Sequence, residues 1–545
     1  MLTFRHRGGM AIVFLSLLLS ACDGILTSLS SSSETDVSST PSVENSVNSS
    51  SITPSSVPLT STDVDFFFSQ IELPPYLTED TPLPIVEGLE DVFSWESPDL
   101  LIENNILRYA NPIYDETKTL FVTLTYEGRT YQRAFPIVMK SQLLPPALSQ
   151  KASLNIQLAN ALSEVDIAYE YTLDASMAIT YDTNGAMESI DIPSPLTIRT
   201  RGHSTRFMPK RSYRIRFDEN TSLLGMKSAK NYILLANYID HSQVRNALMH
   251  FMSQFYDSLY PIDYRFVDIS FNGVYQGNYL LTERVEFHKN RLDIPFVPAA
   301  TNSDSGFLVE LDYPGVEFNG EGTEGVDMFR LEGRPYQMKE PNLDTPGFEP
   351  RHFNYLKSTM ENVTARLKNR QDVSALIDID NWIDYFLLQE ISKNVDVGWG
   401  SVYIYKAPGE PLRHGPLWDF DISMGLGNYF DSDASGHWGW NDYFKNDFFT
   451  WMMQQPTIYA RFRQRLADFE IRVLPHAIAF LTEHTATFSS IFQNNIEKWP
   501  LNVCEGGFCP MVEPLLQVSS YANHLEFIED FLIDRVAWMK ANIPS

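Results

Sequence analysis

Two aspartates, Asp419 and Asp421, flank Phe420 inside the apolar run GPLWDFDISMGLGN at residues 415–428. On a strand, alternation would turn both carboxylates to one face and Phe420 to the other, into a core. A third acid, Asp396, lies upstream, just past a helical pattern and before Gly398. Between them SVYIYKA alternates like a strand, PGEP turns, and GPLWDFDI returns. A hairpin of that kind brings Asp396 and Asp419 together near its open end. Three carboxylates in one cleft repel, and one stays protonated unless a cation joins them. Mg²⁺ suits the donor type: it takes oxygen ligands, commonly one or two carboxylates completed by phosphate and water. Solvated turn acids at a strand edge fit the same spacing.

A basic segment stands out in an acidic chain: RTRGHSTRFMPKRSYRIRFDE, residues 199–219. Gly202, between Arg201 and His203-Ser204-Thr205, marks a tight turn joining two strands. Backbone N–H groups and hydroxyls at such a turn cradle phosphate, and Lys210, Arg214 and Arg216 offer countercharge. A charged edge strand that resists aggregation has the same composition.

These residues need elements to hold them. SLNIQLAN, IAYEYTLD, SPLTIRTRG and RSYRIRFD alternate like strands, and YRFVDISFNGVYQGNYLLTERVE reads as a hairpin turning at Asn272-Gly273. Residues 240–259 have helical spacing. Beyond about residue 350 helices dominate, among them 380–394, with Asp380 as its cap, and two stretches beginning PTIYARF and SSYANHL. The expectation is α+β: a β-rich part followed by an α-rich part, with a cleft between layers.

The remaining chain sets the context. Arg5 and Arg7 precede the apolar run MAIVFLSLLLS and Ala21-Cys22, the layout of a secretory signal and shorter than the ~20 residues a membrane span needs. LSAC, residues 19–22, resembles the bacterial lipobox. That implies cleavage after residue 21, lipid on Cys22 and a membrane-anchored protein outside the cytoplasm. Asp23 resembles an inner-membrane retention signal, which in a Gram-negative cell implies the periplasmic face. Residues 22–63 are rich in Ser, Thr and Pro and read as a flexible tether. Residues 64–145 are β-rich, with a hairpin signal at Glu127-Gly128, and resemble bacterial immunoglobulin-like modules, implying a small β-sandwich spacer. Cys504 and Cys509, in CEGGFC, would close a small disulfide loop outside the cytoplasm, or remain free thiols. The chain has 545 residues, with 41 basic against 69 acidic, a net charge of −28. That field argues against nucleic acid as a partner.

Five stretches in order, RGHSTRFMPKRSYRIRF, LLANYIDHSQVRNAL, FNGVYQGNYLLTERV, NVDVGWGSVYIYK and GPLWDFD, resemble the spore coat protein H (CotH) kinase family over roughly 146–545. The resemblance implies an atypical bilobed protein-kinase-like domain that phosphorylates Ser or Thr with ATP and Mg²⁺ or Mn²⁺. By resemblance Asp396 is the catalytic acid–base residue and Asp419 binds metal. Ser401 stands where ordinary kinases carry a metal-binding Asn, so Asp421 is expected to take that role. Arg201, Gly202 and Ser204 would cover the phosphates, with Lys210 or Arg214 on the following strand and Glu283 at the nucleotide pocket; a strand-end ion pair is the other reading of Glu283. Two departures stand: His203 replaces the usual Asn, and residues 239–251 lack a Glu to pair with a nucleotide lysine. The Ser/Thr-rich tether is a candidate acceptor. The competing expectation is a catalytically silent surface lipoprotein binding a glycan or a partner protein, with aromatics of GHWGWNDYF stacking on sugar rings.

Overall fold

The computed structural model describes residues 61–543 with interruptions, chiefly 85–91, 111–115, 141–151, 428–432, 440–444 and 504–510. Cys22, the tether, Cys504 and Cys509 lie outside the described residues. The chain divides into two compact units, Met1–Phe67 and Phe68–Ser545. Everything below concerns the second, which mixes helices and sheets as an α+β fold.

Two long strands, Glu116–Tyr126 and Arg129–Met139, pair antiparallel with Tyr126 opposite Arg129. The hairpin therefore turns where Glu127-Gly128 signalled it, with Gly128 at φ +77°. Tyr76–Leu77 and Phe93–Glu96 complete a four-stranded sheet, and three two-residue strands form a second.

Seven strands then close a barrel, starting from Ser153–Leu158 and ending with the hairpin Tyr264–Phe271 and Val274–Glu283. Asn272 and Gly273 have φ of +50° and +81°, the doubly left-handed turn that matches strand twist. The Asn272 side chain also accepts from Leu158 N at 2.9 Å and donates to the Leu162 carbonyl at 2.7 Å, tying that turn to the first strand. Leu154, Ile156, Ile198, Ile215, Phe217, Leu234, Val267 and Leu281 fill the interior. Their period-two spacing is what alternation in the sequence encodes.

A five-stranded antiparallel sheet follows, in the order Met328–Leu331, Arg334–Glu340, Phe307–Leu311, Val402–Lys406, Arg413–His414. It packs with helices Pro350–Lys368, Ile379–Ser392, Pro456–Arg472, Leu474–Lys498 and Tyr521–Ala541 around Trp382, Phe386, Phe449 and Phe462. So the second half is not purely helical. The cap of the central helix is Asp378, which accepts from Asn381 N, rather than Asp380. Asp380 sits in the first turn and pairs with Arg461 and Arg465 instead. Among the described residues no helix is long and apolar enough to cross a membrane.

Candidate active site

The helix Ile379–Ser392 is buried along nearly its whole length and ends at Lys393, φ +45°. Asp396 follows in a turn whose carbonyl accepts from Trp399 N at 2.8 Å. The chain runs through Val402–Lys406 and returns by a short strand, Arg413–His414. The hairpin is present, but it stops there. Residues 415–420 carry no strand pairing, and Asp421 begins a turn. Asp419 has φ +68°, a left-handed backbone uncommon for a residue with a Cβ. The strand expected around Asp419 and Asp421 is therefore replaced by an irregular segment held by tertiary bonds. Phe420 is fully buried, as alternation required, and its N–H donates to Asn246 Oδ1 at 2.7 Å. Ser401 Oγ donates to Asp419 Oδ2 at 2.8 Å.

The three acids share one electrostatic neighbourhood. Burial and then the Asp419 charge push Asp396 up to about 7. Asp421 is raised well above the carboxylate range, by burial first, then by Asp419, Asp240 and Asp396, with Arg201 opposing. Mutual repulsion of this kind marks a site short of positive charge. Among the described residues, no group of three or more His, Cys, Asp or Glu is arranged to hold a metal ion by itself. The donor set is of the type Mg²⁺ uses beside phosphate, where one or two carboxylates suffice.

Arg201 connects these acids to a cavity of about 230 Å³. Its guanidinium lies over the Trp418 ring, 5.5 Å from the centroid. Arg199, Arg201, Arg214 and Arg284 all line the cavity. Arg199 and Arg214 face each other directly across neighbouring strands. Burial, then the charges of Arg284 and Arg199, pull Arg214 down to about 9. Concentrated, partly desolvated guanidinium charge is an anion receptor in waiting. Gly202, also in the wall, has φ +95°, and a Cβ there would lie 2.2 Å from Thr205 Oγ1. Both the backbone angle and the space require glycine.

The opposite wall comes from the five-stranded sheet. Lys339 Nζ pairs with Glu310 at 2.9 Å. Asp312 caps the helix Tyr313–Asn319 and meets His203 Nε2 at 3.2 Å, while the Asn319 amide contacts His203 Nδ1 at 2.5 Å. Thus His203, in place of the family's Asn, ties the glycine turn to the far wall. Burial works against protonation of His203, but the Asp312 hydrogen bond and charge outweigh it and raise its pKa.

The other sequence candidates go elsewhere. Lys210 is buried and donates to Gln243 Oε1, Asn278 O and Asn495 Oδ1. It lines a separate cavity of about 90 Å³ with Tyr238 and Trp499. Burial lowers it to about 7. Glu283 forms a buried pair with Arg291 at 3.0 Å and accepts from Tyr260 at 2.8 Å, so it is the ion pair at a strand end. Its neighbour Arg284 is the one that lines the cavity. Ser204 is exposed at the start of a short 3₁₀ turn, and its hydroxyl caps nothing there. Trp438 is in the core against Trp538, not on a sugar platform; Trp440, Tyr443 and Phe444 are outside the described residues. Arg284, Glu310, Asp312 and Lys339 carried no local signal, since each is an ordinary charge at a strand end or in a loop until the walls meet.

Residues 198–539 match the family model described as CotH kinase protein. No curated protein matches the chain.

Proposed function

The chain belongs to the CotH kinase protein family, and from that premise we propose that it is an ATP- and divalent-metal-dependent protein Ser/Thr kinase of bilobed architecture, anchored outside the cytoplasm by lipid on Cys22. What carries the reading is one arrangement: Arg201 lines the arginine-rich cavity and also opposes the repulsion at Asp421. The nucleotide's phosphates would therefore lie between the guanidinium cluster and the carboxylates.

Asp419 and Asp421 are the residues that would hold Mg²⁺ or Mn²⁺. A bound cation neutralises phosphate charge during in-line transfer. Arg201 and Arg214 bind phosphate oxygens and orient them. The Gly202 turn closes over them with its backbone. Asp396 accepts the hydrogen bond of the acceptor hydroxyl, and a carboxylate whose pKa lies near 7 takes the proton with little mismatch at neutral pH. Ser401 holds Asp419 in register. The Ser/Thr-rich tether is the proposed acceptor, in cis or on a neighbouring chain.

The test is a thermal-shift screen of nucleotides with Mg²⁺ and Mn²⁺, followed by phosphate mapping after incubation with Mg-ATP. Asp419→Ala should abolish metal-dependent nucleotide stabilisation and transfer. Unchanged ATP affinity and turnover in that variant would defeat the assignment. Absence of phosphate in residues 24–63 would dismiss the tether as acceptor and leave the kinase reading standing.

A further inference from the structure

Resting on that reading, we infer that Asp240, Arg245 and Asn246 form a clamp that positions the carboxylates of Asp419 and Asp421 from the barrel side of the site. Asp240 is a fourth acid beside Asp396, Asp419 and Asp421, yet it is not available as a ligand. It is fully buried. Its Oδ1 accepts from Ser242 N at 3.0 Å, from the Ser242 hydroxyl and from Arg245 Nη1 at 2.5 Å; its Oδ2 accepts from Arg245 N at 3.0 Å. Its role passes through Arg245.

Arg245 starts the helix Arg245–Ser253 and is itself buried. Its Nε donates to the Ser423 carbonyl at 2.8 Å and its Nη2 to the Met424 carbonyl at 3.2 Å. The adjacent Asn246 accepts from Phe420 N at 2.7 Å and donates to Asn237 Oδ1 at 3.1 Å. Two consecutive residues therefore grip three backbone groups around Asp421. The grip at Phe420 N fixes the peptide directly after Asp419, the residue held at φ +68°. An uncommon backbone conformation persists only where its surroundings over-determine it. A planar fork is required for the two carbonyls and Asp240 together, which lysine lacks. This segment has no glutamate for a nucleotide lysine; the clamp reaches the metal residues through their backbone instead. A shift of about 1 Å in a catalytic group costs about 100-fold in rate.

The experiment uses the full chain and Mn²⁺, with free Mn²⁺ read by electron paramagnetic resonance in the presence and absence of ATP. Asn246→Ala and Arg245→Lys should weaken Mn²⁺ binding at least about tenfold, leave ATP affinity in EDTA within about twofold, and lower kcat in a way that high Mn²⁺ partly restores. The control lies outside the clamp. Asn272→Gly keeps a left-handed position at φ +50° and removes the two bonds that tie the barrel turn to the first strand, so it should lower Tm without moving Mn²⁺ affinity. Arg245→Lys is the harsher change, and Asn246→Ala carries the test if the lysine variant does not fold. Variants that bind Mn²⁺ as tightly as the wild type overturn the clamp and leave the kinase assignment in place. A wild-type chain that binds no Mn²⁺ with or without ATP overturns both.

Discussion

Arg214 should oppose stability and support binding, and Arg214→Met separates the two. In the cavity wall its guanidinium faces Arg199 across the strand pair and lies near Arg284. Like charges directly opposite on a sheet are destabilising. The drop from the ordinary 12.5 to about 9, at about 1.4 kcal/mol for each tenfold change in proton affinity, bounds the cost of keeping it charged at about 5 kcal/mol. Residual exposure and ionic screening reduce that to about 2 kcal/mol. Against this, the variant loses the Arg214–Asn231 hydrogen bond of 2.9 Å, worth about 1 kcal/mol. Methionine keeps most of the apolar stem in place. The net expectation is a nucleotide-free protein more stable by about 1 kcal/mol, with a Tm rise of about 1–3 °C that shrinks in high salt. Nucleotide affinity should move the other way. Loss of a charge-assisted contact of about 1.5–3 kcal/mol weakens Mg-ATP binding about 10- to 100-fold. Thermal unfolding at two salt concentrations and calorimetric titration with Mg-ATP read both effects. A variant that is less stable when empty and binds Mg-ATP as well as the wild type would show that Arg214 serves the barrel rather than a ligand.

Gly202→Ala forces a Cβ into a left-handed position against Thr205 Oγ1, so Tm should fall by a few degrees and ATP affinity about tenfold; Thr205→Ala in the same chain relieves the clash and should restore part of both, as thermal unfolding and titration would reveal. His203 has a raised pKa, so its bond to Asp312 contributes fully below the unfolded value of 6.5 and is lost as pH rises through the folded value. The Tm advantage of the wild type over His203→Asn should therefore be larger at acidic than at alkaline pH, and a constant difference would refute the ion pair. Glu390→Ala should cost about 3–5 kcal/mol in denaturant unfolding, because it removes the carboxylate that balances the charge of the fully buried Arg535.

Local rules settled much of this chain from its sequence alone. Period-two alternation located the barrel strands at Ser153–Leu158 and Ser212–Thr221, the end of Ala186–Arg201 and the hairpin from Tyr264. IAYEYTLD, however, lies mostly ahead of the strand Leu173–Thr183, and the strand Ala229–Leu235 is not among the expected ones. Asn-Gly located the turn at 272–273, and Glu127-Gly128 located the turn between the strands that end at Tyr126 and start at Arg129. Each signal acts within a few residues, so it is complete before tertiary contacts form. The acid and arginine chemistry was legible as residue types, and Asp396, Asp419 and Asp421 do influence one another in space. Tertiary structure alone decided the rest. Asp419 leaves the extended conformation that alternation suggests because Asn246, far away in sequence, takes the next N–H. Lys210 and Arg214, four positions apart, diverge into different cavities because one side chain meets Asn278 and Asn495 while the other meets Asn231 and Arg199. Whether a charge becomes a buried strut or a ligand contact depends on which distant groups desolvate and pair it, and no local pattern contains that information.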